Sequence, residues 1–162
     1  AQLFGNVGSL DTEHDIAERI IPFRKGAGPR RLALQEDGTL WIPLFGAGQL
    51  VKVNGDTGAE MARYSFPDRG AAPYGITYDR RRNAIWAATS NSDRIYRFDI
   101  ATQHWTQYPL PRRESYIRMI ELDPRTNDVW TSYAALPVGE RDPKIFGTAS
   151  ANNMIVRLQP GD

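Results

Sequence analysis

A hydrophobic residue followed by tryptophan recurs three times in this chain, as Leu40-Trp41, Ile85-Trp86 and Val129-Trp130. The tryptophans stand 45 and 44 residues apart. Other positions keep step with them. Arg30-Arg31-Leu32, Tyr74-Gly75-Ile76 and Arg118-Met119-Ile120 lie upstream, and QLVKVN (49–54), RIYRFD (94–99) and MIVRLQ (154–159) lie downstream. Two copies end alike, in RYSFP (63–67) and QYPLP (107–111). A period of about 40–50 residues means one supersecondary unit per copy, with a continuous core formed only when neighbours stack.

The content of the unit is read most clearly in the central copy. Its runs at 75–79, 84–89, 94–99 and 104–108 are rich in β-branched and aromatic residues, and the turn formers DRRRN, SNSD and DIATQ separate them. That is the pattern of a four-stranded antiparallel meander. No amphipathic helical stripe of about 11 residues is present. The sequence therefore predicts an all-β fold, a β-propeller of four-stranded blades, with strands a to d running outward from the channel.

One partial propeller domain is expected over residues 1–162. Residues 1–23 supply strands c and d of a blade, 29–67 and 73–111 are complete blades, and 117–158 is a blade lacking its last strand. Closed propellers have about 4–8 blades, so about three and a half make an incomplete ring. The expected explanation is that this is the C-terminal part of a longer propeller. The alternative is that two or more chains complete a ring together.

Composition narrows the function classes. Net charge is +1, which provides no bulk field for nucleic acid. No apolar run approaches the roughly 18 residues that span a bilayer. With no cysteine there is neither a disulfide nor a thiolate metal site. The chain starts at Ala1 rather than methionine, as it would after removal of an export signal.

Meander topology puts the d–a and b–c connections on one end of the propeller, its top face. The d–a loops at 23–31, 67–74 and 111–118 carry eight basic residues against Asp68 and Glu114, a net +6. Such a face concentrates anionic ligands. Within it, Arg30, Tyr74 and Arg118 hold one repeat position at the start of strand a, and Leu44, Thr89 and Tyr133 stand three residues after each tryptophan. Arginine there can take a carboxylate or phosphate through paired hydrogen bonds, and tyrosine offers a flat wall with a polar tip. Arg30, Tyr74, Arg118, Thr89 and Tyr133 are the candidate ligand-binding residues, with Leu44 assigned to the core. The last copy adds 16 residues to its b–c connection, at 134–149, a loop able to reach the same face.

Catalytic and metal-binding residues are not assigned. Phosphate loops, HExxH and G-x-S-x-G are absent. His14 and His104 fall near c–d connections, remote from the arginines. Asp11, Asp56, Asp79, Asp99 and Asp123 sit in turns, which Asp closes through its own side chain. Glu121, inside strand a, is the one carboxylate placed to bind a cation or move a proton. It leaves open a calcium-dependent lactonase-like activity.

The stretch PYGITYD…IWAATSNSDRIYRFDIATQHWTQYPLP resembles the repeats of the virginiamycin B lyase (streptogramin lyase) family, and the likeness runs from about Leu3 to Leu158. It implies a propeller in an exported bacterial protein, periplasmic or secreted. It also implies Mg²⁺-dependent elimination that opens a cyclic depsipeptide, with a histidine–glutamate set at the channel. Where the family can place its histidine this chain has Arg30, Tyr74 and Arg118. Where the family places its glutamate it has Leu44, Thr89 and Tyr133. The expectation is thus a lyase-like propeller segment acting as a binding or interaction module for a small anionic or aromatic ligand or a peptide. No cofactor is expected unless the lyase activity holds. The partner would be the rest of the propeller or another chain. A scaffold that docks neighbouring domains is the remaining alternative.

Overall fold

The computed structural model describes residues 5–14, 16–111, 113, 115–133 and 154–161. They form thirteen strands in four antiparallel sheets, and no helix occurs among them. Blade I is β1 (Asn6–Asp11) and β2 (Ile16–Pro22). Blade II is β3 (Ala33–Leu34), β4 (Thr39–Leu44), β5 (Gln49–Asn54) and β6 (Glu60–Ser65). Blade III is β7 (Pro73–Asp79), β8 (Ala84–Thr89), β9 (Arg94–Asp99) and β10 (Trp105–Pro109). Blade IV is β11 (Ile120–Leu122), β12 (Val129–Ser132) and β13 (Ile155–Leu158). Each sheet is a simple meander in chain order. The first strands of blades II, III and IV are neighbours, as strands around one axis are. At Gly75 the approach is so close that a Cβ would stand 3.1 Å from the Met119 carbonyl carbon. The four sheets do not close a ring, and the fold is that of an incomplete β-propeller.

Alternation along each strand decides which side chain enters which layer between blades. On β4, Ile42 and Leu44 face blade I, while Trp41 faces blade III. On β8, Ile85 and Ala87 face blade II, while Trp86 and Ala88 face blade IV. Trp41 and Trp86 are fully buried. Tyr64 of β6 stacks on Trp41 at 6.1 Å, and Tyr108 of β10 packs tilted against Trp86 at 5.3 Å. Trp130 has the same orientation, but among the described residues no further sheet packs over it, and it is 37% exposed.

The turns repeat as faithfully as the strands. Left-handed residues recur in every connection: Gly28, Ala72 and Tyr116 before strand a, with Gly26 and Gly70 two residues ahead of the first two; Gly38, Asn83 and Asn127 between a and b; Gly48 and Asp93 between b and c; Gly58 and Gln103 between c and d. Blade II has glycine at all four positions, ten residues apart. The same register in blade III is held by residues for which positive φ is costlier, which shows that the blade geometry dictates the conformation.

Asp79 was expected only to close a turn, and it does accept from the Arg82 amide (3.1 Å). It is also fully buried and binds across blades. Its carboxylate accepts from the Trp86 indole N–H (3.0 Å), from the Asn127 side-chain amide of blade IV (2.9 and 3.0 Å) and from the Arg82 guanidinium (3.2 Å). In blade II, Gln35 takes the same place, accepting from the Trp41 indole at 2.6 Å. Burial alone would raise the Asp79 pKa, but the hydrogen bonds from Asn127, Trp86 and Arg82 outweigh it and hold the value below the ordinary carboxylate range.

Two outcomes follow for stability. Trp86→Ala should cost about 3–5 kcal/mol in urea unfolding, and Trp130→Ala less than half of that, because only the first empties a filled layer. Asp79→Ala should cost about 2–4 kcal/mol at neutral pH. Because the folded pKa is depressed, the Asp79 contribution is present above its unfolded value and lost as pH falls through the folded one. The variant should therefore lose less stability than the wild type when unfolding is compared at pH values above and below about 4. Equal acid sensitivity would show that the carboxylate is not the linked group.

Candidate functional site

The chain enters strand a of each blade through a left-handed residue placed two positions ahead of a candidate residue. Gly28 (φ 64°) precedes Arg30, Ala72 (φ 51°) precedes Tyr74, and Tyr116 (φ 40°) precedes Arg118. For a non-glycine residue this conformation costs about 1–2 kcal/mol. Hydrogen bonds from the b–c turn of the same blade hold it. Phe45 N donates to Gly28 O (2.9 Å) and Ser90 N to Ala72 O (3.0 Å); Gly46 N donates to Ala27 O (2.9 Å) and Asn91 N to Ala71 O (3.3 Å). Two connections are thus clamped into one rim, and the three repeat-equivalent side chains start from the same end of the fold.

Arg30 stacks on aromatic rings from two blades. Its guanidinium carbon is 4.3 Å from the centroid of Phe45 and 5.2 Å from that of Tyr74, and the two rings meet edge to face at 6.1 Å. Arg118 lies 4.8 Å over Tyr116. The Nε of each arginine is buried without an acceptor. Among the described residues neither guanidinium is paired with a carboxylate. Stacking contributes about 0.5–2 kcal/mol. It leaves the in-plane N–H donors of the guanidinium for another acceptor.

The positions after each tryptophan behave differently. Leu44 is buried in the layer between blades I and II, as assigned. The side chain that reaches the rim is its neighbour Phe45, which the sequence reading passed over. Thr89 is fully buried, and its hydroxyl is used by Ser92 (2.6 Å) and the Arg94 carbonyl (3.1 Å). Tyr133 is 5% exposed, and its amide donates to Met154 O. The structure thus brings Arg30 together with Tyr74 and places Arg118 at the equivalent position one blade on, while Thr89 and Tyr133 expose little or no surface there. The loop at 134–149, Arg112 and Glu114 lie outside the described residues.

Glu121 is exposed on blade IV, beside its cross-strand partner Trp130 on the same face of the sheet. His14 and His104 are in c–d turns, bonded to Asp11 (2.6 Å) and to the Thr102 carbonyl (3.1 Å). Among the described residues no three histidine, aspartate or glutamate side chains gather as a metal site would require.

Among the described residues, two acids of the top rim, Asp68 and Asp93, are already engaged. Asp68 pairs with Arg94 and accepts from the Tyr96 hydroxyl at 2.8 Å. Asp93 accepts from the amide and the hydroxyl of Ser115, at 2.8 and 2.7 Å. Burial, reinforced by the Asp68 charge, pushes the Tyr96 phenol up to about 12.

No family model matches the chain, and no curated protein matches it in sequence. Solved structures do. A streptogramin B lyase is 27% identical over 82% of this chain and 42% of its own, with a TM-score of 0.68. Virginiamycin B lyase from Staphylococcus aureus is 18% identical over 94% of this chain and 48% of its own, with a TM-score of 0.69. The WD40 β-propeller domain of Doa1 is 14% identical over 78% of this chain and 40% of its own, with a TM-score of 0.63. The chain therefore spans less than half the length of these proteins, and its fold is a virginiamycin B lyase-like propeller.

The Tyr96 environment can be checked directly. Phenolate absorbance should show one tyrosine transition displaced from the ordinary value of 10 to about 12, absent from Tyr96→Phe. Its contribution to stability should be present below pH 10 and fade as pH rises toward 12. A Tyr96 transition at the ordinary value of 10 would show that the phenol is not held in this buried environment.

Proposed function

We propose that this chain is a ligand-binding segment of a virginiamycin B lyase-like propeller, and that its top rim takes an anionic ligand bearing an aromatic group, either a small molecule or a peptide. The observation that carries this reading is the pair of repeat-equivalent arginines, Arg30 and Arg118, stacked on aromatic rings and unpaired with any carboxylate among the described residues. A carboxylate meeting a guanidinium gains charge-assisted, bidentate hydrogen bonds. The rings of Phe45, Tyr74 and Tyr116 supply flat apolar surface beside it. With Asp68 and Asp93 engaged elsewhere, the arginine charge on this face is left to attract an incoming anion. Export to the periplasm or cell exterior is part of the same proposal and rests on the family resemblance.

The second reading, lyase chemistry, is favoured by the likeness to a streptogramin B lyase, 27% identical over 82% of the chain. It requires a histidine and a glutamate at channel positions that hold Arg30, Tyr74, Arg118, Leu44, Thr89 and Tyr133 here. This donor set does not fit Mg²⁺, and no catalytic step is assigned to these residues.

Titration with N-acetyl-L-tyrosine, followed by calorimetry, tests the binding reading. The joint variant Arg30→Ala/Arg118→Ala should weaken affinity at least tenfold, about 1.4 kcal/mol, and the amide analogue of the probe should bind the wild type correspondingly less well. Unchanged affinity in the variant would overturn the assignment. The lyase reading has its own assay: ring opening of a streptogramin B-type depsipeptide with added Mg²⁺, which this chain should not catalyse.

A further inference from the structure

The b–c turns of blades II and III hold the same place in the repeat, and each ends on a left-handed residue, Gly48 (φ 62°) and Asp93 (φ 49°). Their side chains differ throughout. Blade II has Phe45-Gly46-Ala47-Gly48, and blade III has Ser90-Asn91-Ser92-Asp93. The difference continues into strand c, where Gln49 and Val51 of β5 stand in the places of Arg94 and Tyr96 of β9. Blade II completes its four strands without these polar groups. Aspartate in a left-handed conformation is also costlier than glycine. Blade packing therefore does not call for the polar set of blade III.

That set lines a cleft of about 640 Å³ on the top face. The d–a loops on either side complete it, through Pro67 and Arg69 from one and Pro109, Leu110 and Arg113 from the other. Hydrogen bonds fix both walls. The Tyr96 hydroxyl donates to Asp68 Oδ2 (2.8 Å), and Arg94 pairs with the same oxygen. The Leu110 amide donates to the Asp93 carbonyl (3.0 Å), and the amide and hydroxyl of Ser115 donate to the Asp93 carboxylate (2.8 and 2.7 Å). The two loops are thus tied to blade III before any ligand arrives, which lowers the ordering cost of binding.

Within the cleft, hydrogen-bonding capacity is left over. Both bonds to the Asp68 side chain converge on Oδ2, and Oδ1 has no protein donor. Arg69 and the Asn91 side chain are exposed, and among the described residues neither has a protein partner. Acceptors and donors therefore stand side by side. Three arginines and two aspartates line the cleft, and no aromatic ring does; Arg30, Tyr74 and Arg118 lie outside it. A bare anion would meet the Asp68 charge as well as the arginines. A ligand that carries hydroxyls beside one carboxylate satisfies both signs, because its hydroxyls can donate to Asp68 and Asn91 while its carboxylate accepts from Arg69.

We propose that this cleft binds a sugar acid, a polyhydroxylated monocarboxylate, at a site separate from the aromatic rim. Arg69 takes the carboxylate through paired hydrogen bonds. Asp68 Oδ1 and the Asn91 carboxamide take the hydroxyls. The cleft volume falls within the range of about 300–1,000 Å³ that holds small molecules.

The probe is sodium D-glucuronate, titrated into the intact chain and followed by calorimetry and NMR. Saturable binding with a dissociation constant of about 1 mM or tighter is expected, with a shift of the Asn91 side-chain amide resonances. D-Glucose, which lacks the carboxylate, and acetate, which lacks the hydroxyls, should each bind at least fivefold more weakly. Arg69→Ala should weaken glucuronate binding at least fivefold. So should Asn91→Gly, which installs the residue that blade II has at this position. Neither side chain bonds to the rest of the fold, so both variants report binding rather than folding. Absence of saturable binding, acetate binding as tightly as glucuronate, or affinity undiminished in Arg69→Ala would overturn the proposal. Binding lost in Arg30→Ala/Arg118→Ala and retained in Arg69→Ala would place the sugar acid at the rim and overturn it equally.

Discussion

The tryptophan on the second strand of each blade is the contact on which the rest of this structure depends. Its ring is too wide to be covered by its own sheet, so it is buried only when a second sheet is stacked against it. Trp41 reaches across to Phe98 of blade III at 5.8 Å, and Trp86 packs with Ile117, Ile120 and Val129 around blade IV. Its indole N–H needs an acceptor within that dry layer, and the turn between the first two strands provides one, Gln35 or Asp79. A side chain that must be shared between neighbours converts a set of separate meanders into one stack, with stability arising at the interfaces between repeats rather than within each one.

That dependence explains why the fold was legible in the sequence. The period of the tryptophans is the period of the blades, and turn formers between short runs gave the strands to within one or two residues. A further signal was present and went unread: glycines at 28, 38, 48 and 58, each at positive φ, mark the four turns of blade II. They are harder to see in blade III, where Ala72, Asn83, Asp93 and Gln103 hold the same conformations under tertiary constraint. Asp79 was read as a turn residue because its local role is real. Its longer-range role depends on Asn127, which is 48 residues away and reaches it only once two blades are stacked.

The candidate site was legible in position but less so in composition. Repeat equivalence located Arg30, Tyr74 and Arg118 at one end of the blades, because a shared register forces shared placement. The neighbouring strand was less legible. Counting three residues from each tryptophan lands on Leu44 and Thr89, whose side chains are buried within the fold. One residue further, the strand has ended, and Phe45 is free to turn over the rim and meet Arg30. Strand alternation predicts which face a side chain takes; it does not say where the strand stops, and the rim is built at that boundary.

Blade packing and rim chemistry are therefore set by different residues. The layer contacts tolerate little change, because each buried ring is fitted by two sheets at once. The start of strand a is fixed in its backbone by the left-handed residue and the clamp from the b–c turn, and this leaves its side chain unconstrained by the core. Arginine, tyrosine and arginine occupy one repeat position with no evident cost to blades that otherwise superpose in register. Propellers as different as a streptogramin B lyase and a WD40 domain can share this architecture for that reason, and resemblance between their folds carries no information about what the rim holds. Here the rim carries two arginines, each stacked on an aromatic ring and, among the described residues, unpaired with a carboxylate, and the proposed binding role rests on their chemistry rather than on the shape of the scaffold beneath.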